Sequence, residues 1–180
     1  MKTPSKLPGS RTWVINVSIP RQRLALINDG RIVRSYKIST SARGVGSKPG
    51  SRRTPLGWHR VVRWIGAGRP LGAVFSSRRF TGMVVPASGW RAEAGPDLIL
   101  TRILRLRGLE PGLNAGPGCD SYARFIYIHG TNQEQRLGRP ASHGCIRMAN
   151  RDVAELVRLT RGRPTYCLIH MGSSAVSLRA

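Results

Sequence analysis

Short runs of β-branched and aromatic residues, each closed by Gly, Pro, Asn, Asp or Ser, set the main constraint on this chain. A core made of such runs has to be buried as strands. They are Thr12 to Ser18, Arg23 to Ile27, Arg31 to Ser39, Trp58 to Ile65, Leu98 to Leu106, Phe125 to His129 and Tyr166 to His170. Between the second and third, Asp29-Gly30 suits the positive φ angles of a two-residue hairpin turn. Two stretches lack the pattern. Ser39 to His59, "STSARGVGSKPGSRRTPLGWH", is a Gly-, Ser- and Pro-rich loop, and Gly66 to Asp97 reads as a second irregular segment. Loops this long in a compact domain usually serve as lids or binding walls.

One segment breaks the β pattern. After Asn150, read as the N-cap, "RDVAELVRLTRG" places Val153, Leu156, Val157 and Thr160 on one helical face. Asp152 near its start and Arg158 and Arg161 near its end match the helix dipole, and Gly162 and Pro164 stop it. The chain is therefore expected to be mainly β, with a short helix.

At 180 residues one domain is expected, over 12–172, with an extension at 1–11 and a tail at 173–180. Thirty Lys and Arg against eight Asp and Glu give a formal charge of +22, which draws anionic partners without naming them. The basic residues are scattered, and the chain carries neither the aromatic strand motif of an RNA-binding sheet nor a helix-turn-helix. A nucleic-acid-binding module therefore ranks below an enzyme. No apolar run reaches the roughly 18 residues of a membrane-spanning helix. Asn16 and Ser18 interrupt the apolar Trp13 to Ile19, which reads as a strand and not an export signal. Three cysteines are too few for a disulfide framework or a CxxC zinc pattern, although a bridge between Cys119 and Cys167 stays open.

The densest chemistry lies in "IHGTNQEQRLGRPASHGCIRMAN", Ile128 to Asn150, which holds two of the four histidines and one of the three cysteines. Cys145 follows Gly144, whose backbone is free to turn, and Arg147 adds positive charge, a setting that favours a thiolate nucleophile. His129, at the edge of its strand, is placed to take and return the thiol proton, oriented by a backbone carbonyl or a distant side chain. The amides of Gly144 and Cys145 are candidates for an oxyanion pocket. A free Cys in a Gly turn is more often a small buried residue, but His129 and His143 weigh against that here. A zinc bound by His129, His143 and Cys145 is the other alternative; the His143-x-Cys145 spacing is unusual and no fourth ligand is evident, so neither metal nor cofactor is expected. His59 and His170 read as structural, Cys167 as a core residue and Cys119 as an exposed, incidental thiol.

"YIHGT", a spacer, then "GRPASHGCIRM" resembles the signature of the L,D-transpeptidase family, and weaker likeness extends from Thr12 through "TPLGWHRV" and "LTRILRLRGLE" to His170. The resemblance implies a β-sandwich-like catalytic fold with the short helix behind the active-site loop. By it Cys145 is the nucleophile, His129 the proton carrier and His143 a further member of the catalytic set, with Ser142, Gly144, Arg147 and Gly130 shaping the substrate pocket. It implies attack on a peptidoglycan stem peptide, loss of terminal D-alanine, a thioester, transfer to an amine, and inhibition by carbapenems. Arg147 would then pair with a substrate carboxylate. Water as acceptor would make the enzyme a carboxypeptidase, and another cysteine hydrolase of the wall remains the alternative. The implied surroundings are the periplasm or cell envelope, with anionic wall polymer as a partner; since no export signal is visible, a cytoplasmic location or a trimmed form stays open.

Overall fold

A computed structural model of the chain describes residues 12–172, so the expected extension at 1–11 and tail at 173–180 lie outside the described residues. The strands are β1 (Trp13–Ser18), β2 (Arg23–Asn28), β3 (Arg31–Ser39), β4 (Gly57–Ile65), β5 (Ala73–Ser76), β6 (Arg79–Val84), β7 (Ile99–Gly108), β8 (Tyr127–Thr131), β9 (Ile146–Met148) and β10 (Thr165–His170). The α-helix, α1, spans Asn150–Thr160. Mainly β architecture with a short helix after the His/Cys loop is what the sequence leads one to expect.

The strands form one sheet in the order β4-β10-β1-β2-β3-β9-β8-β7-β5-β6, and an extra β4–β7 pairing bends it back on itself. The two layers expected of a sandwich are thus parts of one continuous sheet. Central β1 is buried on both faces: Ile15 and Val17 join the main core, while Val14 packs with Ile27, Trp58 and Leu168. At the β2–β3 turn, Asp29 (φ 51°) and Gly30 (φ 71°) adopt the expected left-handed pair.

Val153, Leu156 and Val157 of α1 sit in the same core as Ile146 and Met148, so the helix clamps β9 in place. Burying each such side chain is worth roughly 1.5–3 kcal/mol. The expected N-cap is corrected. Asn150 is already the first helical residue, and Ala149 precedes it with no side-chain cap. The Asn150 amide N–H donates to Glu134 Oε1 (2.7 Å), so Glu134 caps the helix from a distance. The Asn150 side chain is buried, donating to the Thr131 carbonyl (2.8 Å) and accepting from Thr101 Oγ1 (2.6 Å).

Gly66 to Asp97 is not wholly irregular, because it contains the β5–β6 hairpin and a 3-10 turn at Ala87–Trp90. Ser77 (φ 47°) and Arg78 (φ 68°) make the hairpin turn without the usual Gly or Asn. Most of β6 is exposed, so it shows no buried alternation for a sequence pattern to reveal. Ser39 to His59, by contrast, is a loop up to β4, zipped onto the His/Cys segment. Ala141 and Ser142 N–H both donate to the Thr40 carbonyl, Ala42 N–H to that of Ser142, and Thr54 Oγ1 to that of Gly144 (3.0 Å).

Candidate active site

The site grows from the parallel pairing of β8 and β9, which sets His129 directly opposite Arg147 and Ile128 opposite Ile146. Cys145 is the residue that leads into β9. The expectation that His129 ends its strand is corrected: it lies within β8 and is only 4% exposed. His129 Nδ1 sits 2.7 Å from the Gly130 carbonyl. A carbonyl only accepts, so Nδ1 carries the proton and Nε2 is the basic nitrogen. The orienting group is therefore a backbone carbonyl, one of the two kinds anticipated. Burial holds the imidazole below its usual range, so it rests neutral.

The Cys145 thiol packs against the cluster of Ala73, Phe75, Ile103 and Tyr127 and donates to the Phe125 carbonyl at 3.5 Å. Phe125 is itself left-handed (φ 57°), which is uncommon for an aromatic residue. Burial, the largest influence, pushes the thiol up to about 11, against which Arg124 and Arg147 pull it down. The apolar wall therefore works against the thiolate that the flanking charge favours, beside an imidazole that burial keeps neutral. Among the described residues no hydrogen bond joins Cys145 to His129.

The turn before Cys145 depends on Gly144 and Ser142. Gly144 has φ 124°, and a Cβ there would already touch the Arg53 carbonyl at 3.4 Å. Ser142 is 2% exposed; its hydroxyl donates to the Cys145 carbonyl (2.6 Å) and accepts from Gly144 N–H (3.2 Å). Of the two amides expected to form an oxyanion pocket, Gly144's is thus already engaged. Gly130 has no room for a side chain, since a Cβ would collide with Asn150 Oδ1 and lie 2.8 Å from the Leu100 carbonyl. Ser142 is held by its hydrogen bonds, and Gly130 by close contact with Asn150 and the Leu100 carbonyl.

Arg147 is the clearest departure from expectation. Its side chain is wholly buried, bonded to Asp97 Oδ1 (2.9 Å), Gln133 Oε1 (3.0 Å) and Ser39 Oγ (3.4 Å), so it has no open face for a substrate carboxylate. Asp97 is the residue that sequence reasoning missed. Its second oxygen lies 3.5 Å from Nδ1 of the exposed His143, so one carboxylate links Arg147 to His143. The only signal was rarity, because few carboxylates are available in so basic a chain.

A cleft of about 660 Å³ is lined by Pro49, Arg52, Pro117, Arg124, Phe125 and His143 among others, and so borders Phe125, whose carbonyl receives the Cys145 thiol. Cys119 also lines it but is only 8% exposed, and its thiol donates to the Ala115 carbonyl (3.2 Å), so it is buried and not an exposed thiol. All three cysteines are free, which removes the Cys119–Cys167 bridge. His59 is fully buried between the Gly57 carbonyl and Ser121 Oγ, and His170 accepts from Gly172 N–H. Among the described residues no three His, Cys, Asp or Glu side chains converge as metal ligands would.

Fold and site together define a closed-sheet domain with a histidine on one strand and a cysteine at the entry to its parallel neighbour. Residues 12–169 match the L,D-transpeptidase catalytic domain, and the chain belongs to that family. A 32-residue stretch is 56% identical to a putative L,D-transpeptidase YkuD of Bacillus licheniformis, covering 18% of this chain and 19% of that protein. Among solved structures, L,D-transpeptidase 3 of Mycobacterium tuberculosis, with a faropenem-derived adduct, superposes with TM-score 0.50 at 14% identity over 88% of this chain and 60% of that one. The Ldtfm avibactam carbamoyl enzyme gives TM-score 0.51 at 16% identity over 90% and 49%. The L,D-transpeptidase LdtMt1 bound to imipenem gives 0.50 at 16% over 88% and 58%. The chain thus spans less than two thirds of each of these relatives.

Proposed function

We propose that the protein is a cysteine-dependent L,D-transpeptidase acting on peptidoglycan stem peptides in the periplasm or cell envelope. The observation that carries this is His129, its Nδ1 pinned by the Gly130 carbonyl, on the strand segment beside the one that Cys145 leads into. Cys145 Sγ attacks the carbonyl joining the L-centre of diaminopimelate to terminal D-alanine. The thiol proton passes to His129 Nε2 and from there to the leaving amine as the C–N bond breaks, leaving a thioester. An acceptor amine then attacks, transfers its proton back through His129 and restores the thiol. The acceptor is a second stem, a lipoprotein lysine or a free D-amino acid; water in its place gives a carboxypeptidase.

With burial working against both charged forms and no hydrogen bond between Cys145 and His129 among the described residues, proton transfer in this reading accompanies substrate binding. His143, exposed at the cleft and held by Asp97, is the histidine placed to meet substrate, while Ser142, Gly144 and Gly130 hold the turn and strand in shape. Arg147 supports the site from beneath. The charge of +22 suits a working environment of anionic wall polymer. A strained β-lactam carbonyl is an acyl donor to the same sulfur, so a carbapenem should acylate Cys145.

Mass spectrometry of the protein with a tetrapeptide stem tests the reading. A covalent adduct on the Cys145 peptide and released D-alanine are expected, both lost in Cys145→Ala. D-alanine release that survives in that variant would sink the thiol mechanism. Adding a D-amino acid separates exchange from hydrolysis by product mass, and a carbapenem adduct that maps to Cys119 would report only a reactive thiol.

A further inference from the structure

A thiol packed against an apolar wall needs a positive charge that nothing nearby neutralises, and Arg147, two residues after Cys145, does not provide one. Arg147 is bound to Asp97 at 2.9 Å, and that carboxylate offsets its field at the sulfur. Arg124 is different. It immediately precedes Phe125, whose carbonyl receives the Cys145 thiol at 3.5 Å. Its guanidinium binds only neutral groups: Nη1 donates to the Gly46 carbonyl (3.1 Å), and Nη2 to the Arg53 carbonyl (2.7 Å) and Ser51 Oγ (3.3 Å). Among the described residues Arg124 belongs to no ion pair.

The same contacts tie three loops together. The Arg53 carbonyl that Arg124 holds is the atom against which Gly144 is packed, one residue before Cys145. We propose that Arg124 is the positioning residue of this site: its guanidinium is the uncompensated cation that stabilises the Cys145 thiolate, and it braces the Gly46–Arg53 segment against the nucleophile's turn. The inference rests on Cys145 being the nucleophile.

Other charged or titratable groups lie around the sulfur, and of them Arg105 is stacked on the Tyr122 ring (3.4 Å) and reaches only the Phe125 ring (5.7 Å). His129 on β8 is neutral until it accepts the thiol proton. Asp97, ahead of β7, opposes a thiolate and is shared between Arg147 and His143. His143 has Asp97 as its partner, and Arg78, from the β5–β6 turn, is taken up by the Phe125 ring (5.0 Å) and the Tyr127 hydroxyl (3.3 Å). Arg124 lines the same cleft as Cys119.

The test is the pH dependence of alkylation by iodoacetamide, a neutral reagent whose iodide leaves as the S–C bond forms, followed on the Cys145 peptide by mass spectrometry. Arg124→Met should raise the inflection by about one pH unit and slow alkylation near neutral pH about tenfold, as expected for loss of one partly buried charge near a thiolate. Arg124→Lys, which keeps the charge but not the forked bonds, should restore most of the inflection. Arg31→Met, on the exposed β2–β3 hairpin, controls for general loss of charge. An unchanged inflection in a folded Arg124→Met overturns the assignment. If that variant does not fold, Arg124→Lys decides: an inflection near wild type supports the assignment and one raised by the full unit overturns it. No alkylation of Cys145 in the wild type at any pH would instead overturn the nucleophile reading, which separates the two failures.

Discussion

Replacing Asp97 with Asn should destabilise the protein far more than its place in a loop suggests. The Arg147 side chain is 0% exposed against 20% for Asp97, and Arg147 Nε is buried without a hydrogen-bond partner. Asp97→Asn keeps the shape but strands a buried guanidinium without its counter-charge. Breaking a buried pair from one side typically costs about 3–5 kcal/mol. Here the new amide still accepts a hydrogen bond and the site is partly open to solvent, so a loss just below that range, about 2–3 kcal/mol, is expected. For a domain of this size that lowers Tm by about 5–10 °C. Urea denaturation of wild type, Asp97→Asn, Arg147→Met and the double variant would close a cycle. The double variant should be more stable than the summed single losses by about 1 kcal/mol or more. If Asp97→Asn stays within about 0.5 kcal/mol of wild type, or the losses simply add, the pair is not the brace described here.

Other expectations follow from buried groups. Burial holds the fully buried His59 down to about 4 from an ordinary 6.5, so below pH 6.5 the unfolded chain binds a proton that the folded one refuses. Stability should fall by about 3 kcal/mol between pH 6.5 and 4 from this group alone, and urea midpoints across that window should fall less steeply in His59→Gln; equal slopes would refute it. Gly130→Ala should lower Tm sharply because its Cβ meets Asn150 Oδ1 and the Leu100 carbonyl, and a variant that melts with wild type would refute the close packing. Cys167, 0% exposed in the main core, should tolerate Ser for turnover but lose about 1–3 kcal/mol in urea titration, and an unaffected midpoint would contradict its burial.

Strands with a buried periodic face were legible in the sequence. β1, β2, β3, β4, β7, β8 and β10 fall close to the runs read from it, and so does the helical face of Val153, Leu156 and Val157. β6 was hidden because its side chains face solvent, and β9 because three residues carry no period. At the site, local features could be read: the Gly144 turn, and a carbonyl as one of two kinds of orienter for His129. What could not be read was charge partnership between segments distant in sequence. Arg147 looked free because Asp97 is 50 residues away, and Cys145 looked activated because Phe75 and Ile103, which enclose it, lie on other strands.

β10 lies between β4 and β1, and Ser18 Oγ donates to the Gly172 carbonyl, 154 residues further along the chain. During synthesis β1 and β4 emerge early, each with an edge bare until β10 follows. The main core, which takes Cys167 and Ile169 from β10, closes no sooner. Pairing over such separations makes folding slow, on the scale of milliseconds to seconds. Bare strand edges meanwhile invite pairing with other chains. Strong mutual repulsion between chains this basic works against that encounter while the last strand is awaited.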